Sequence, residues 1–507
     1  MEYSAPDKSI AAPADTAGVP HMSGAGDTAC VPSYPPKTGY AQLIRQFYAV
    51  IVVCVSGASV LTVGDPSQSL VLLAWSLLCG LAPFVLFANM PGGYFLQGVA
   101  CLLSVYFWIA YPVKAIFSQT YVQSDLILNY YVPPHLFADC LAPSIAYSVC
   151  GLLATAAALR FLAGKAVDRT TATRRPNIRL LLTVTFFALL LKAIIHYWLG
   201  WGLPGLEPPN AIPLVTGAIV MLCRLGIFHL ISVAIFIAIS HRNLPARYKY
   251  LTGLSACAYL ALDMGIGSKY SLAYLGTTLL SASIVGLRRT KANTRKLAAV
   301  LVSVTCIVAC YPFVQQYRFV RLGHPNAAPT QLIDRAIKQT FERTDYNVVA
   351  VAFLSVLERI NGFQNYCAAR AYNVNASWGH MLASRDLTAS YTTSVLGFRS
   401  TNTAMGLTQV SVLSSLAKHD PVILAALTFS FCFVLTAACA GGALAAIRSA
   451  VNAAAAGLTI GLFLVFCLFT GGDLLFLGKQ YFVICATVFF VDATGQRSAA
   501  QQRSATA

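Results

Sequence analysis

The sequence predicts an all-α, polytopic integral membrane protein of about twelve transmembrane helices, with one large loop on the non-cytoplasmic side. Three observations carry this expectation. Of 507 residues, 57% are hydrophobic and only 10% charged, against roughly 25% charged in a soluble domain. Mean hydropathy is +0.66. The apolar residues fall in long runs punctuated by basic clusters. Charges this sparse cannot coat a water-facing surface of this size. A secreted disulfide scaffold, a disordered chain and a nucleic-acid module are thereby excluded. The net charge of +17 then reports cytoplasmic loops, not a nucleic-acid partner.

Residues 1–45 are polar and rich in Pro, Ala and Gly. They read as a disordered cytoplasmic tail without a cleavable signal peptide. Apolar segments follow at 47–63, 70–89, 96–118, 136–159, 180–199, 211–240, 250–265, 270–287 and 297–314, making a first block of nine spans over 46–314. Three more at 422–446, 452–472 and 477–492 make a second block over 422–492, with a short tail at 493–507. Runs of this length without alternation are helices, since lipid offers the backbone no hydrogen-bond partner.

Lys and Arg set the orientation. Arg160, Lys165, Arg169, Arg174, Arg175 and Arg179 crowd one loop, Arg242, Arg247 and Lys249 a second, and Arg288, Arg289, Lys291, Arg295 and Lys296 a third. Twelve spans put these loops on one side with both termini, and the positive-inside rule makes that side cytoplasmic. Most of the 15 cysteines lie in apolar runs and read as small core residues. Cys367 alone falls well inside the outer loop, so no intrachain disulfide is expected there. No metal-ligand spacing and no cofactor motif appears.

Residues 315–421 form the large outer loop. It carries eight Arg against two Lys: Arg318, Arg321, Arg335, Arg343, Arg359, Arg370, Arg385 and Arg399, with Lys338 and Lys418. Arg grips phosphate or carboxylate bidentately, where Lys is a point charge. The bias points to an anionic ligand. Within the loop, 330–343 has a helical charge pattern, 347–360 reads as an amphipathic helix, and a further helix is expected over 364–372. The segment 373–409 is rich in Ser, Thr, Asn, Tyr and Trp, groups that suit sugar binding.

Charges inside spans are costly, roughly 2.5–3.5 kcal/mol each, and mark sites by default. Lys192 and His196 share a helix face, and Arg224 lies near the middle of the long sixth segment, with His229 beyond it. Each reads either as a site residue or as a structural pair between helices; Lys192 has the further alternative of snorkelling outward. The sixth segment is expected to tilt or break near Arg224-Leu225-Gly226. Asp263-Met264-Gly265-Ile266-Gly267-Ser268-Lys269-Tyr270 predicts a tight outer hairpin that adds Lys269 to that face.

The order of these features resembles a family. A Gly-Ser-Lys turn, a span, a basic loop and another span lead to Tyr317-Arg318-Phe319. The outer loop then holds Leu357-Glu358-Arg359-Ile360-Asn361-Gly362-Phe363 and the stretch Gly397 to Leu407. This is similar to the O-antigen and exopolysaccharide repeat-unit polymerases of the bacterial inner membrane, over roughly residues 200–450. Lys269 departs from the Arg common in that turn. The resemblance implies polymerisation of undecaprenyl-pyrophosphate-linked repeat units at the periplasmic face, without nucleotide sugar; the sequence itself requires no metal or cofactor. It implies a pyrophosphate grip by Arg318, Arg321, Arg359, Arg370 and Arg399, aided by Arg224 and Lys269. Glu358, Asp345 and His380 are the candidate general bases. The expected partners are the lipid-linked glycan and membrane lipids; a chain-length regulator is compatible with the resemblance, though no residue points to one. An O-antigen ligase, another lipid-linked glycosyltransferase and a multi-pass transporter or flippase are the alternatives.

Overall fold

The computed structural model describes residues 40–495, except 88–92, 119–131, 133, 171–175, 202–212, 242–243, 269, 287–290, 325–326, 343–361, 372–374, 383–408 and 471–473. Its regular elements are helices. The first block comprises α1 (Tyr40–Thr62), α2 (Pro66–Leu86), α3 (Gly93–Trp108), α4 (Lys114–Phe117), α5 (Pro134–Thr170), α6 (Ile178–Ala193), α7 (Pro213–Met221), α8 (Ile227–Ser240), α9 (Ala246–Gly265), α10 (Tyr270–Gly286) and α11 (Lys291–Ala309). The segment that follows holds α12 (Tyr311–Gly323), α13 (Pro329–Glu342), α14 (Phe363–Ala371), α15 (Trp378–Leu382) and α16 (Gln409–Leu416). The chain closes with α17 (Pro421–Ala446), α18 (Ala450–Val465) and α19 (Leu474–Ala493). Asp65, Asn177 and Asp420 cap α2, α6 and α17 with side-chain oxygens on free N–H groups.

Among the described residues, nine helices are long and apolar enough to cross a membrane. The chain is a helical, multi-pass membrane protein. The segments of the other three expected spans form α9, α10 and α19, which are not among these nine. The start of α9 carries Arg247 and Lys249, and the apolar stretch of α10 is only Ser271–Ile284. Two boundaries differ from the sequence reading. Helix α5 runs on to Thr170, so Arg160, Lys165 and Arg169 continue a helix that was expected to end in a loop. Arg318 and Arg321 stand on α12, which continues the preceding span past 314. The expected helices at 330–343 and 364–372 appear as α13 and α14. The amphipathic helix expected over 347–360 lies outside the described residues.

Helix α18 is the axis of the bundle. One face, with Ala453, Ala456, Ile460 and Phe463, joins a core with α2, α3, α5 and α17. The opposite face, with Ala454, Ala455, Leu458 and Leu462, joins a core with α6, α8, α9 and α10. Its run of Ala and Gly makes this possible, because small residues let backbones approach where lipid supplies no hydrophobic drive. A Cβ on Gly457 would meet the Phe95 carbonyl oxygen at 2.5 Å and Phe95 Cα at 2.8 Å. Gly457→Leu is therefore expected to part α18 from α3 and abolish monodisperse elution of detergent-solubilised protein. Gly164→Leu, at a glycine with open space around it, is the matched control and should elute as the parent does.

Candidate functional site

Among the described residues four π-helical turns interrupt the spans, and two of them carry basic side chains: Ile194–Trp198 holds His196 and Leu222–Gly226 holds Arg224. A π-turn inserts a residue into the helical ladder and re-aims the side chains around it. The break expected near Arg224 takes this form. Both turns face the C-terminal end of α9, where Lys192 of α6 forms an ion pair with Asp263.

Lys192 is fully buried and Asp263 is 1% exposed. The ammonium also donates to the Cys223 carbonyl at 3.3 Å and sits 4.3 Å from the centre of the Tyr259 ring. Lys192 thus points into the bundle and does not snorkel. His196 is fully buried as well. Its Nδ1 lies 2.6 Å from the Trp201 carbonyl oxygen. A carbonyl only accepts, so Nδ1 carries the proton and Nε2 of the neutral ring is a bare lone pair. That Nε2 is buried without a partner among the described residues.

Arg224 is held by its backbone, whose carbonyl accepts from Tyr259 Oη at 3.0 Å. Its Nε is buried and unpartnered among the described residues. From the other side comes Arg321 of α12. Its Nη1 donates to the Gly265 carbonyl at 2.9 Å and to Tyr317 Oη at 3.3 Å, capping α9, while its Nε is also buried without a described partner. Tyr197 donates to the Leu262 carbonyl at 3.2 Å and closes the same helix end. The turn after α9 is tight because Gly267 takes a φ of +70°, and its Cα faces the Arg318 side chain, 3.0 Å from where a Cβ would stand.

The ends of α6, α9 and α12 and two π-turns therefore converge on one polar focus. Its single described acid is spent on Lys192. Two guanidinium groups keep donors in hand, and one imidazole keeps an acceptor. Such a set can bind an anion and hold a hydroxyl proton, the two requirements of a group transfer with an anionic leaving group. Of the residues singled out in the sequence, Arg224, Arg318, Arg321, Lys192 and His196 meet at this end of the bundle. Lys269 belongs to the same turn by chain order but lies outside the described residues, as do Asp345, Glu358, Arg359 and Arg399.

Arg370 and His380 stand elsewhere. Arg370 is on α14, near His419 and Tyr366. The Tyr366 hydroxyl lies 2.9 Å from Ser414 Oγ, which lies 3.0 Å from His419 Nδ1. Burial pushes the Tyr366 phenol up to about 12. Burial, then the Arg370 charge, lowers the His419 imidazole below its ordinary value, so the ring is neutral at pH 7. Lys418 and His419 both have positive φ, 51° and 63°, a strained pair for residues with side chains. His380 is locally engaged: its Nδ1 accepts from the Ser377 N–H at 2.8 Å. His229 is satisfied on both nitrogens by Thr459 and Asn452 and reads as a structural cross-link between α8 and α18. Among the described residues no cluster of His, Cys, Asp or Glu could hold a metal ion.

Sequence reading missed Asp263 as the counter-ion and His419 altogether. Asp263 was visible as the first residue of the hairpin, but nothing local tied it to Lys192, 71 positions away. No family model, curated protein or solved structure matches the chain.

Proposed function

We propose that this protein is a lipid-linked polysaccharide polymerase of the bacterial inner membrane. In this reading twelve spans place both termini in the cytoplasm and the Lys192–Asp263 end at the periplasmic face. The observation that carries it is the set of buried nitrogens, Arg224 Nε, Arg321 Nε and His196 Nε2, that have no partner among the described residues and surround a neutralised ion pair. Buried polar atoms of this kind, two donors and one acceptor, are costly unless a ligand completes them.

The chemistry needs no more than these residues offer. A hydroxyl oxygen of a fresh lipid-linked repeat attacks the anomeric carbon of the growing chain. The bond from that carbon to the undecaprenyl pyrophosphate oxygen breaks, and the pyrophosphate leaves with the electron pair. Arg224 and Arg321 stabilise the departing charge. His196 Nε2 takes the hydroxyl proton, the ring being held in the right tautomer by the Trp201 carbonyl. Arg318, Arg359, Arg370, Arg399 and Lys269 are proposed to bind the lipid-linked glycans, Arg370 from α14 and apart from this centre, with Glu358, Asp345 and His380 as further proton carriers.

The test is the surface and lipid-linked glycan profile of a strain lacking the protein, by gel and mass spectrometry. Loss of long chains with single repeats still exported is the expected result. Polymer accumulating on the lipid carrier assigns the same site to a ligase. An unchanged profile overturns the glycan reading and leaves the transporter.

A further inference from the structure

Helix α14 is seated on the first bundle by a specific set of contacts. The Gly362 N–H donates to the Ala110 carbonyl at 3.2 Å, and a Cβ there would strike the Tyr111 ring at 2.6 Å. The backbone thus lies directly on the π-turn Ile109–Val113. Phe363, the next residue, is fully buried, with its ring 5.4 Å from Phe137 of α5 and 6.4 Å from Trp75 of α2.

One helical turn onward on each helix lie Cys140, three residues beyond Phe137, and Cys367, four beyond Phe363. Residues three and four apart share a helix face, so each cysteine lies on the face of its helix that carries the paired phenylalanine. Both cysteines are buried in the same core, at 0% and 1% exposure, and the Cys140 thiol is the side-chain neighbour of the Cys367 thiol. Both sulfurs are unbonded here. Sequence reading placed Cys140 in a span and left Cys367 alone. Helix α5 begins only at Pro134, so Cys140 is in its second turn, at the end opposite the basic loops.

We propose that Cys140 and Cys367 are a disulfide-forming pair that staples α14 to α5. This rests on the basic loops facing the cytoplasm, which puts the pair on the side where disulfides persist; it does not rest on the glycan chemistry. The step is thiol–disulfide exchange with a disulfide-bearing oxidoreductase. One thiolate attacks the oxidant's disulfide, and the second cysteine then displaces the oxidant from the mixed disulfide. Two protein thiols become one disulfide, and the oxidant's disulfide becomes two thiols. Burial sets the timing: the exchange accompanies docking of α14 during folding, and the finished bond is shielded from reductant. The effect is to fix the helix that carries Arg370 and Tyr366 against the membrane bundle.

The experiment uses the full chain, purified from membranes without reductant. It is denatured, alkylated with N-ethylmaleimide, digested and mapped by mass spectrometry. The expected result is a Cys140–Cys367 cross-linked peptide that vanishes on reduction, with both cysteines then accepting a second alkylating label. Full alkylation of both cysteines before reduction overturns the proposal. In Cys140→Ser, Cys367 is expected to become fully alkylated; if it stays blocked, its partner is another residue and the proposal fails. Should that variant not accumulate, the peptide map of the unmodified chain decides by itself.

Discussion

Replacing Arg224 with alanine is expected to lower polymer formation by about 10²–10³-fold, the loss typical of removing one pre-set donor to a developing anion. The π-turn Leu222–Gly226 carries this half-buried guanidinium, whose Nε is buried without a partner among the described residues. Arg224→Lys should recover only part of the loss, since an ammonium supplies charge without the planar fork. Packing is not expected to suffer, because what Tyr259 holds is the Arg224 backbone carbonyl, which every substitution retains. The check is incorporation of purified lipid-linked repeat into long chains, read beside protein abundance and melting temperature. Undiminished polymer from Arg224→Ala would remove this residue from the anion site. A drop in abundance equal to the drop in polymer would reassign it to structure.

Asp263→Ala is expected to destabilise the protein by about 3–5 kcal/mol, because it leaves the Lys192 ammonium buried without its counter-ion. Lys192 is fully buried, its remaining contacts being the Cys223 carbonyl and the Tyr259 ring face, which do not neutralise a full charge. The double variant Lys192→Met with Asp263→Leu should recover the folded protein, since an apolar pair of similar volume replaces a buried ion pair at little or no cost. Thermal unfolding of the solubilised protein, followed by size-exclusion chromatography, reads both. If the single and double variants melt alike, the pair contributes no coupling and the argument for its burial fails. The double variant also separates structure from chemistry: it keeps Arg224, Arg321 and His196, so polymer formation that survives in it would show that Lys192 holds the site without touching the ligand.

Several local features were legible before the structure. The tight hairpin at Asp263–Tyr270, the interruption at Arg224, and the helices at 330–343 and 364–372 all follow from short-range rules. Glycines permit a turn, a charge marks the place where a long span changes course, and apolar residues at helical spacing make a helix. The pairings were not legible. Lys192 has one partner, and which acid supplies it depends on which helix end packs against α6. Cys140 and Cys367 lie 227 positions apart and are brought into one core where Phe363 packs on Trp75 and Phe137. His419 owes its interest to Ser414 and Arg370 around it and to a strained backbone, none of which a single histidine announces.

The sequence by itself determined the class: long apolar runs and scarce charge admit only membrane helices, because lipid leaves backbone groups no other partner. It also determined where a charge inside a span would be costly. Only the tertiary structure decided which helix is central. The window in Gln42–Thr62 is 17% buried and that in Ala450–Phe469 is 89% buried, yet their mean hydropathies are close, 1.7 and 2.1. In water, burial writes itself into the sequence as a contrast between apolar and polar faces. In lipid both faces are apolar, so the contrast vanishes, and neighbours are chosen by shape and by the few polar groups that must find one another.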